Sequence, residues 1–154
     1  MPSTPLGSSR KWAVALLLAA VSGAAVGGSC TVSATSLAFG SYLAGTGSLK
    51  SSGTATVSCT AGTFFAVGAS GGNMGTQLQR LLANGSYTVQ YNLYLTSAYA
   101  TIWGDGTQNT GIFAATATST PSVFPFYGLL PDNAFNQTAA AGSYTDSIVV
   151  VVSF

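Results

Sequence analysis

The side chains able to do chemistry are few. The 154-residue chain has four Lys or Arg (Arg10, Lys11, Lys50 and Arg80), three Asp (Asp105, Asp132 and Asp146), no Glu and no His. General acid–base catalysis, nucleophile activation and metal ligation draw mainly on His, Cys, Glu, Asp and Lys. Three scattered carboxylates and one lysine outside the N-terminal pair leave such chemistry little to work with. Each Asp also sits in a turn-forming context: Gly104-Asp105-Gly106, Pro131-Asp132-Asn133 and Tyr144-Thr145-Asp146-Ser147. Asp is common there because its side chain bonds nearby backbone groups. The expectation is a protein that is not an enzyme and carries no metal or other cofactor. A nucleic-acid partner is excluded as well, because displacing counterions needs clustered Lys and Arg and there is no cluster.

The two cysteines, Cys30 and Cys59, are the remaining reactive groups. In an exported protein an even count reads as a disulfide, and two thiols without histidine make a poor metal site. Closing that loop stabilises by about 3 to 4 kcal/mol in the chain-entropy model.

Export is itself legible at the N-terminus. Arg10-Lys11 precede an apolar stretch, residues 12–26, followed by small residues, the pattern of a secretory signal peptide. The stretch is shorter than the roughly 20 residues that span a bilayer. A membrane anchor is the alternative. A lipoprotein signal ahead of Cys30 is a third reading, disfavoured because Gly27 stands where Leu is usual. Residues 1–26 are assigned to the signal, with cleavage between 24 and 28, and residues 27–154 to one domain with no membrane span.

After the signal, no segment sustains a 3.6-residue apolar period. Period two recurs instead, broken by Gly, Asn, Asp, Ser and Pro. Strands are expected at Thr31-Val32-Ser33-Ala34, residues 53–60, residues 64–68 and residues 112–117. Residues 37–43 form an apolar piece kinked at Gly40, and residues 45–51 a loop. Asn84-Gly85 signals a two-residue hairpin, feeding a strand in which Tyr87, Val89, Tyr91, Leu93 and Leu95 alternate with Thr88, Gln90, Asn92, Tyr94 and Thr96. Val123-Phe124-Pro125-Phe126-Tyr127 reads as an edge strand or bulge because of its proline. The sequons at Asn84 and Asn136 read as turn chemistry. About seven short strands at near-regular spacing predict an antiparallel sandwich.

The chain closes on Ile148-Val149-Val150-Val151-Val152-Ser153-Phe154. Its β-branched run fits a pleated surface, with Ile148, Val150, Val152 and Phe154 on one face and Val149 and Val151 on the other. Apolar on both faces, it is expected to be covered on both. No later segment remains for its second edge.

Cys30-Thr31-Val32, Phe39-Gly40-Ser41-Tyr42, Val57-Ser58-Cys59-Thr60-Ala61-Gly62, Tyr91-Asn92-Leu93-Tyr94, Trp103-Gly104-Asp105-Gly106, Tyr127-Gly128 and Ala141-Gly142-Ser143-Tyr144-Thr145-Asp146 follow one another in this order. In order and spacing the chain resembles the spore coat protein U domain family, which includes the pilins of archaic chaperone–usher pili. The resemblance implies an all-β, immunoglobulin-like antiparallel sandwich lacking its seventh strand. It supports a Cys30–Cys59 disulfide. It also implies a groove beside the last strand, bordered by Ile148, Val150, Val152 and Phe154. That groove would be filled first by a periplasmic chaperone and then, at an outer-membrane usher, by the N-terminal extension of a neighbouring subunit. Localisation would be the periplasm and then the cell surface, in a pilus.

One departure from the family bears on position in the fibre. After the expected cleavage only Gly27-Gly28-Ser29 and their neighbours precede Cys30, a glycine-rich segment with no side chains to fill pockets. The expectation is a subunit that accepts a strand without donating one, at a pilus tip or in another minor position, serving attachment or biofilm. Loops at residues 43–49, 68–75 and 128–135 are expected to carry surface contacts, away from the groove. The alternatives are a spore-coat-like or extracellular matrix protein, and a carbohydrate-binding module in which Trp103 and Tyr94 would stack on sugars. The second competes with a reading of Trp103 as a loop anchor. The bound surface would be abiotic or glycan.

Overall fold

The computed structural model describes residues 27–154, and the expected signal peptide, residues 1–26, lies outside them. The strands are β1 (Cys30–Ala34), β2 (Leu49–Cys59), β3 (Phe64–Ala69), β4 (Arg80–Asn84), β5 (Tyr87–Tyr94), β6 (Phe113–Thr116), β7 (Ser122–Leu130) and β8 (Val150–Ser153), with one 3₁₀ turn at Asn136–Thr138. All pair antiparallel, in a five-stranded sheet ordered β1-β2-β7-β5-β4 and a three-stranded sheet ordered β6-β3-β8. This is the expected all-β antiparallel sandwich. No helix of the described residues is long and apolar enough to cross a membrane.

Alternation places the core. Ala55 and Val57 of β2, Phe65 and Val67 of β3, Val89, Tyr91 and Leu93 of β5, and Phe126 and Leu130 of β7 are buried between the sheets. Trp103 is fully buried among them, its ring 5.0 Å from that of Phe126 and 5.3 Å from that of Phe113. Its indole N–H donates to the Val67 carbonyl at 3.0 Å. A tryptophan so placed anchors the loop after β5 and satisfies its one donor. Cys30 and Cys59 are register partners in β1 and β2, and their disulfide closes a Cα–Cα distance of 4.1 Å.

Three local expectations need correction. Pro125 lies in a strand flanked on both sides, not in an edge strand. The fold tolerates it because β5 ends opposite Tyr127, so at Pro125 the only ladder neighbour is Thr54 of β2. The hairpin loop is Gly85-Ser86, since Asn84 still pairs with Tyr87, and Gly85 alone takes a positive φ, 59°. That suits turns carrying Gly at the first central position. The last strand is not covered on both faces: Val149 and Val151 are 61% and 52% exposed. The three-stranded sheet turns that face to solvent and has no layer outside it among the described residues.

Candidate functional site

The backbone of the last strand shows where the structure is open. Ser70 N–H bonds the Val149 carbonyl, and the β3–β8 register pairs Gly68 with Val151 and Ala69 with Val150. In an antiparallel ladder hydrogen-bonded pairs alternate with non-bonded ones. The bonded pairs are therefore Ser70–Val149, Gly68–Val151 and Ala66–Ser153. The backbone groups of Val150 and Val152 point away from β3, toward an edge to which no strand is hydrogen-bonded among the described residues, with β1 the element nearest across it. Their side chains, with that of Ile148, pack against the core. One set of residues thus offers apolar side chains inward and backbone groups sideways. Just upstream, Thr145 forms a two-bond bridge with Ala83 of β4, so the segment leading into β8 leaves the larger sheet and joins the smaller one.

The facing border has the same design. Thr60 N–H bonds the Ser29 carbonyl and Thr35 N–H bonds the Thr54 carbonyl, so β1 turns the backbone groups of Cys30, Val32 and Ala34 away from β2. After Thr35 the ladder stops. Residues 36–44 make no backbone pairing to any other element among the described residues. Gly40 turns with φ 78°. Leu37 and Phe39 hold this segment by packing: a Cβ on Gly128 would approach both within 2.8–2.9 Å, and Phe39 meets Tyr91 edge to face at 5.7 Å.

Between these borders run two adjoining cavities. The smaller, about 410 Å³, lies between residues 34–39 and 144–150 over Tyr91, Leu93, Trp103 and Phe126. The larger, about 830 Å³, lies between residues 37–44 and 136–144 over Val89 and Leu130. Leu37, Phe39, Leu82 and Tyr144 border both, making them one groove with an apolar floor.

Polar hubs fix the floor and rims. Arg80 is fully buried with no carboxylate bonded to it. Its guanidinium donates to the carbonyls of Ser70 (2.7 and 2.9 Å) and Trp103 (2.7 Å), and to Asn92 Oδ1. Burial lowers its pKa, yet every donor direction is used for binding β3, β5 and the Trp103 loop together. Asp146, on the groove rim, accepts from Tyr91 Oη at 2.7 Å and from the Asn73 amide at 2.8 Å. Burial, then that bond, drives the Tyr91 phenol well above its ordinary range. Asp132 accepts from Tyr42 Oη at 2.6 Å. That bond, with Gln137 and the Gly47 and Gly45 amides, holds the carboxylate well below the usual range, and the phenol of Tyr42 is pushed up to about 12. Asn136 is buried, its side chain bonded to the Gln90 backbone and the Pro131 carbonyl.

The structure brings Ile148 and Val150 onto the groove and turns Val152 inward beside them, while Phe154 is 62% exposed and takes no part in the core. Trp103, weighed as a surface contact, is instead part of the groove floor and inaccessible to a sugar. Tyr94 lies on the outer face of the larger sheet, opposite Tyr127 and 5.4 Å from Tyr99, over whose ring Lys50 Nζ sits at 5.0 Å. The loops at 43–49 and 128–135 are not remote from the groove: Leu43 and Leu130 line its larger cavity. Reading by strand alternation missed Leu37, Phe39 and Leu82 as groove residues. The odd-position apolar pair beside Gly40 was the available signal. Among the described residues no group of three or more His, Cys, Asp or Glu is placed to hold a metal ion.

Comparison with known proteins places these features. The family model of the Spore Coat Protein U domain matches residues 15–151. A comparison with curated proteins finds no match. Among solved structures, the chain is similar to a chain of the crystal structure of the CsuC–CsuE chaperone–tip adhesion subunit pre-assembly complex from archaic chaperone–usher Csu pili of Acinetobacter baumannii. The TM-score is 0.60 at 22% identity, with 82% of this chain and 40% of that chain covered. The chain thus spans about two fifths of that chain's length, and the likeness is one of fold.

Proposed function

The chain belongs to the Spore Coat Protein U domain family, and from that premise we propose that it is a non-enzymatic subunit of a chaperone–usher type pilus, completed by a strand from another molecule. The observation that carries the reading is the edge of β8, where Val150 and Val152 direct side chains to the core and backbone groups to an unpaired side, beside a groove with an apolar floor. An added strand would gain affinity from backbone hydrogen bonds and specificity from alternate side chains entering the groove. Each large apolar side chain buried there contributes about 1.5–3 kcal/mol. The partners are a periplasmic chaperone, an outer-membrane usher and a neighbouring subunit. The fold likeness to a chain of the Csu pre-assembly complex supports that list, and the route is export through the periplasm to the cell surface.

Tip or minor placement, with a role in attachment or biofilm, is the finer part of this reading. Its support is the run Gly27-Gly28-Ser29 ahead of β1, which offers no apolar side chains as a donor. N-terminal sequencing of the mature protein tests it, since a start upstream of Val21 returns the subunit to the shaft. Strand uptake is tested by mixing the purified protein with a synthetic peptide of alternating apolar residues. A stable complex with raised thermal stability is expected; a protein that stays monomeric and takes up no peptide overturns the reading.

A coat or matrix role is favoured by a different observation. The outer face of the three-stranded sheet carries exposed Phe64, Val149 and Val151 and no charged residue on β3, β6 or β8. Such a face suits lateral packing in a dense layer. Concentration-dependent self-association without any peptide, lost in Val151→Lys, would favour it.

A further inference from the structure

We propose that Asp132 is a positioning residue that fixes the spacing of the two groove walls at the larger cavity, so that one end of an incoming strand can be held there; the inference rests on the strand-uptake reading above. Asp132 Oδ1 accepts from Tyr42 Oη at 2.6 Å, the Gly45 amide at 3.1 Å and Gln137 Nε2 at 3.0 Å, and Oδ2 accepts from the Gly47 amide at 2.8 Å. The Asp132 amide donates to Ser48 Oγ at 3.0 Å. Tyr42 and Gln137 both line the 830 Å³ cavity, one from each of the two segments that border it. A single carboxylate therefore ties wall to wall.

Among the described residues no other hydrogen-bonded group links residues 37–44 to residues 136–144. Residues 36–44 have no ladder partner among the described residues, and the packing of Leu37 and Phe39 under Gly128 fixes only their middle. Beyond Phe39 the wall hangs on Asp132. The chemistry suits the task. An ionised carboxylate is acceptor-only, with room for about four donors, and its bonds are charge-assisted. Gly45 and Gly47 take φ of 81° and 109°, so the loop can turn two amides toward one side chain. Asparagine in its place keeps one acceptor oxygen but sets an amide group against either the Gly47 N–H or the donors at Oδ1. The loop and the Asn136 turn would then be free to part. At most about 33 Å of extended chain fits along residues 34–44, so a donor strand of about that length feels the change at one terminus alone.

The test is a cycle between protein and peptide. The probe is a synthetic peptide of about twelve residues with Ile at alternate positions and Thr between, and a set in which each Ile is changed singly to Ala. Binding to wild type, Asp132→Asn and Tyr42→Phe is measured by isothermal titration, with thermal unfolding of each protein recorded alongside. Wild type is expected to lose affinity for every Ala variant. In Asp132→Asn the parent peptide should bind about tenfold more weakly, the weight of one charge-assisted hydrogen bond. The penalty for Ile→Ala should vanish at one terminus and persist elsewhere. Tyr42→Phe, which removes one hydroxyl, should show the same pattern more weakly and carries the test if Asp132→Asn fails to fold. Unchanged affinity for the parent peptide overturns the proposal, as does a loss shared equally by all positions. Wild type that binds no peptide overturns the strand-uptake reading and this role with it, whereas wild-type binding with an indifferent Asp132→Asn overturns this role alone.

Discussion

Proline placed at successive positions of β8 separates the two edges of that strand. Val151 is hydrogen-bonded to Gly68 of β3, so Val151→Pro removes a ladder donor and leaves the Gly68 carbonyl short of a partner. That costs about 1–3 kcal/mol, a large share of the roughly 5–15 kcal/mol that holds a domain together. Val150 is the non-bonded partner of Ala69, and its N–H faces the unpaired side. Proline is tolerated in edge strands when the missing N–H is on the open side, and its ring keeps most of the apolar volume of the half-buried valine. Val150→Pro should therefore cost less than about 1 kcal/mol in the isolated subunit. In the complex the order reverses. Val150→Pro deprives an added strand of one backbone bond, about 0.5–1.5 kcal/mol, or roughly two- to twelvefold in affinity, before any clash with the ring. Urea unfolding followed by tryptophan fluorescence reads the first quantity, and titration with the alternating peptide reads the second. Two results would refute the reasoning. One is equal destabilisation by both prolines. The other is undiminished peptide uptake by Val150→Pro, which would place the partner on another edge.

Four further outcomes follow from the site chemistry. Arg80→Met should destabilise by about 2–6 kcal/mol, because the Ser70 and Trp103 carbonyls lose their buried donor; Arg80→Lys should recover little in the same denaturation assay, since an ammonium lacks the guanidinium fork. Reduction of Cys30–Cys59 opens a sequence separation of 29 residues and should cost about 3–4 kcal/mol, read as a lower melting temperature in reductant. Stability should be flat from about pH 8 to pH 5, with no histidine to titrate, and fall below about pH 4. The folded pKa of Asp105 is lowered from 3.8 to about 2 by bonds from Thr107 and Gln77, and that of Asp132 lies lower still. Depressed carboxylates stabilise above their unfolded pKa, and the benefit goes as pH falls through the folded one. At the alkaline end, Tyr42 should ionise near about 12 by ultraviolet absorbance, with Asp132→Asn returning it toward 10.

On the strand-uptake reading proposed above, selectivity for an extended chain would come from the edge of β8 that borders the groove. Along β8, Val150 and Val152 turn their side chains inward and their backbone groups away from β3, a consequence of the two-residue period of a strand. A small globular ligand could use the floor but not the backbone row. An extended peptide can use both, which is why an open edge of this kind is a hazard unless a partner covers it.

Much of this was determined by the sequence alone. Poverty in charge and the absence of His set an expectation against catalysis and nucleic-acid binding, two cysteines predicted one bridge, and the alternation of Val89, Tyr91 and Leu93 told which side of β5 is core, although Tyr87 in the same register stays exposed. The inward set of the last strand, Ile148, Val150 and Val152, was legible for the same reason: a period of two tells which face a residue takes. It does not tell which strand lies alongside. Only the tertiary structure decided that β3 takes one edge of β8 and leaves the other unpaired, that Pro125 sits in a central strand where its neighbour has ended, and that Val149 and Val151 face solvent. It alone carried Trp103 and Arg80 inside, because their burial depends on carbonyls supplied by Val67, Ser70 and Trp103 itself from distant parts of the chain. Asp132 looked like an ordinary turn residue because its four donors come from residues 42–47 and 137, and a local reading cannot add groups that only folding brings together.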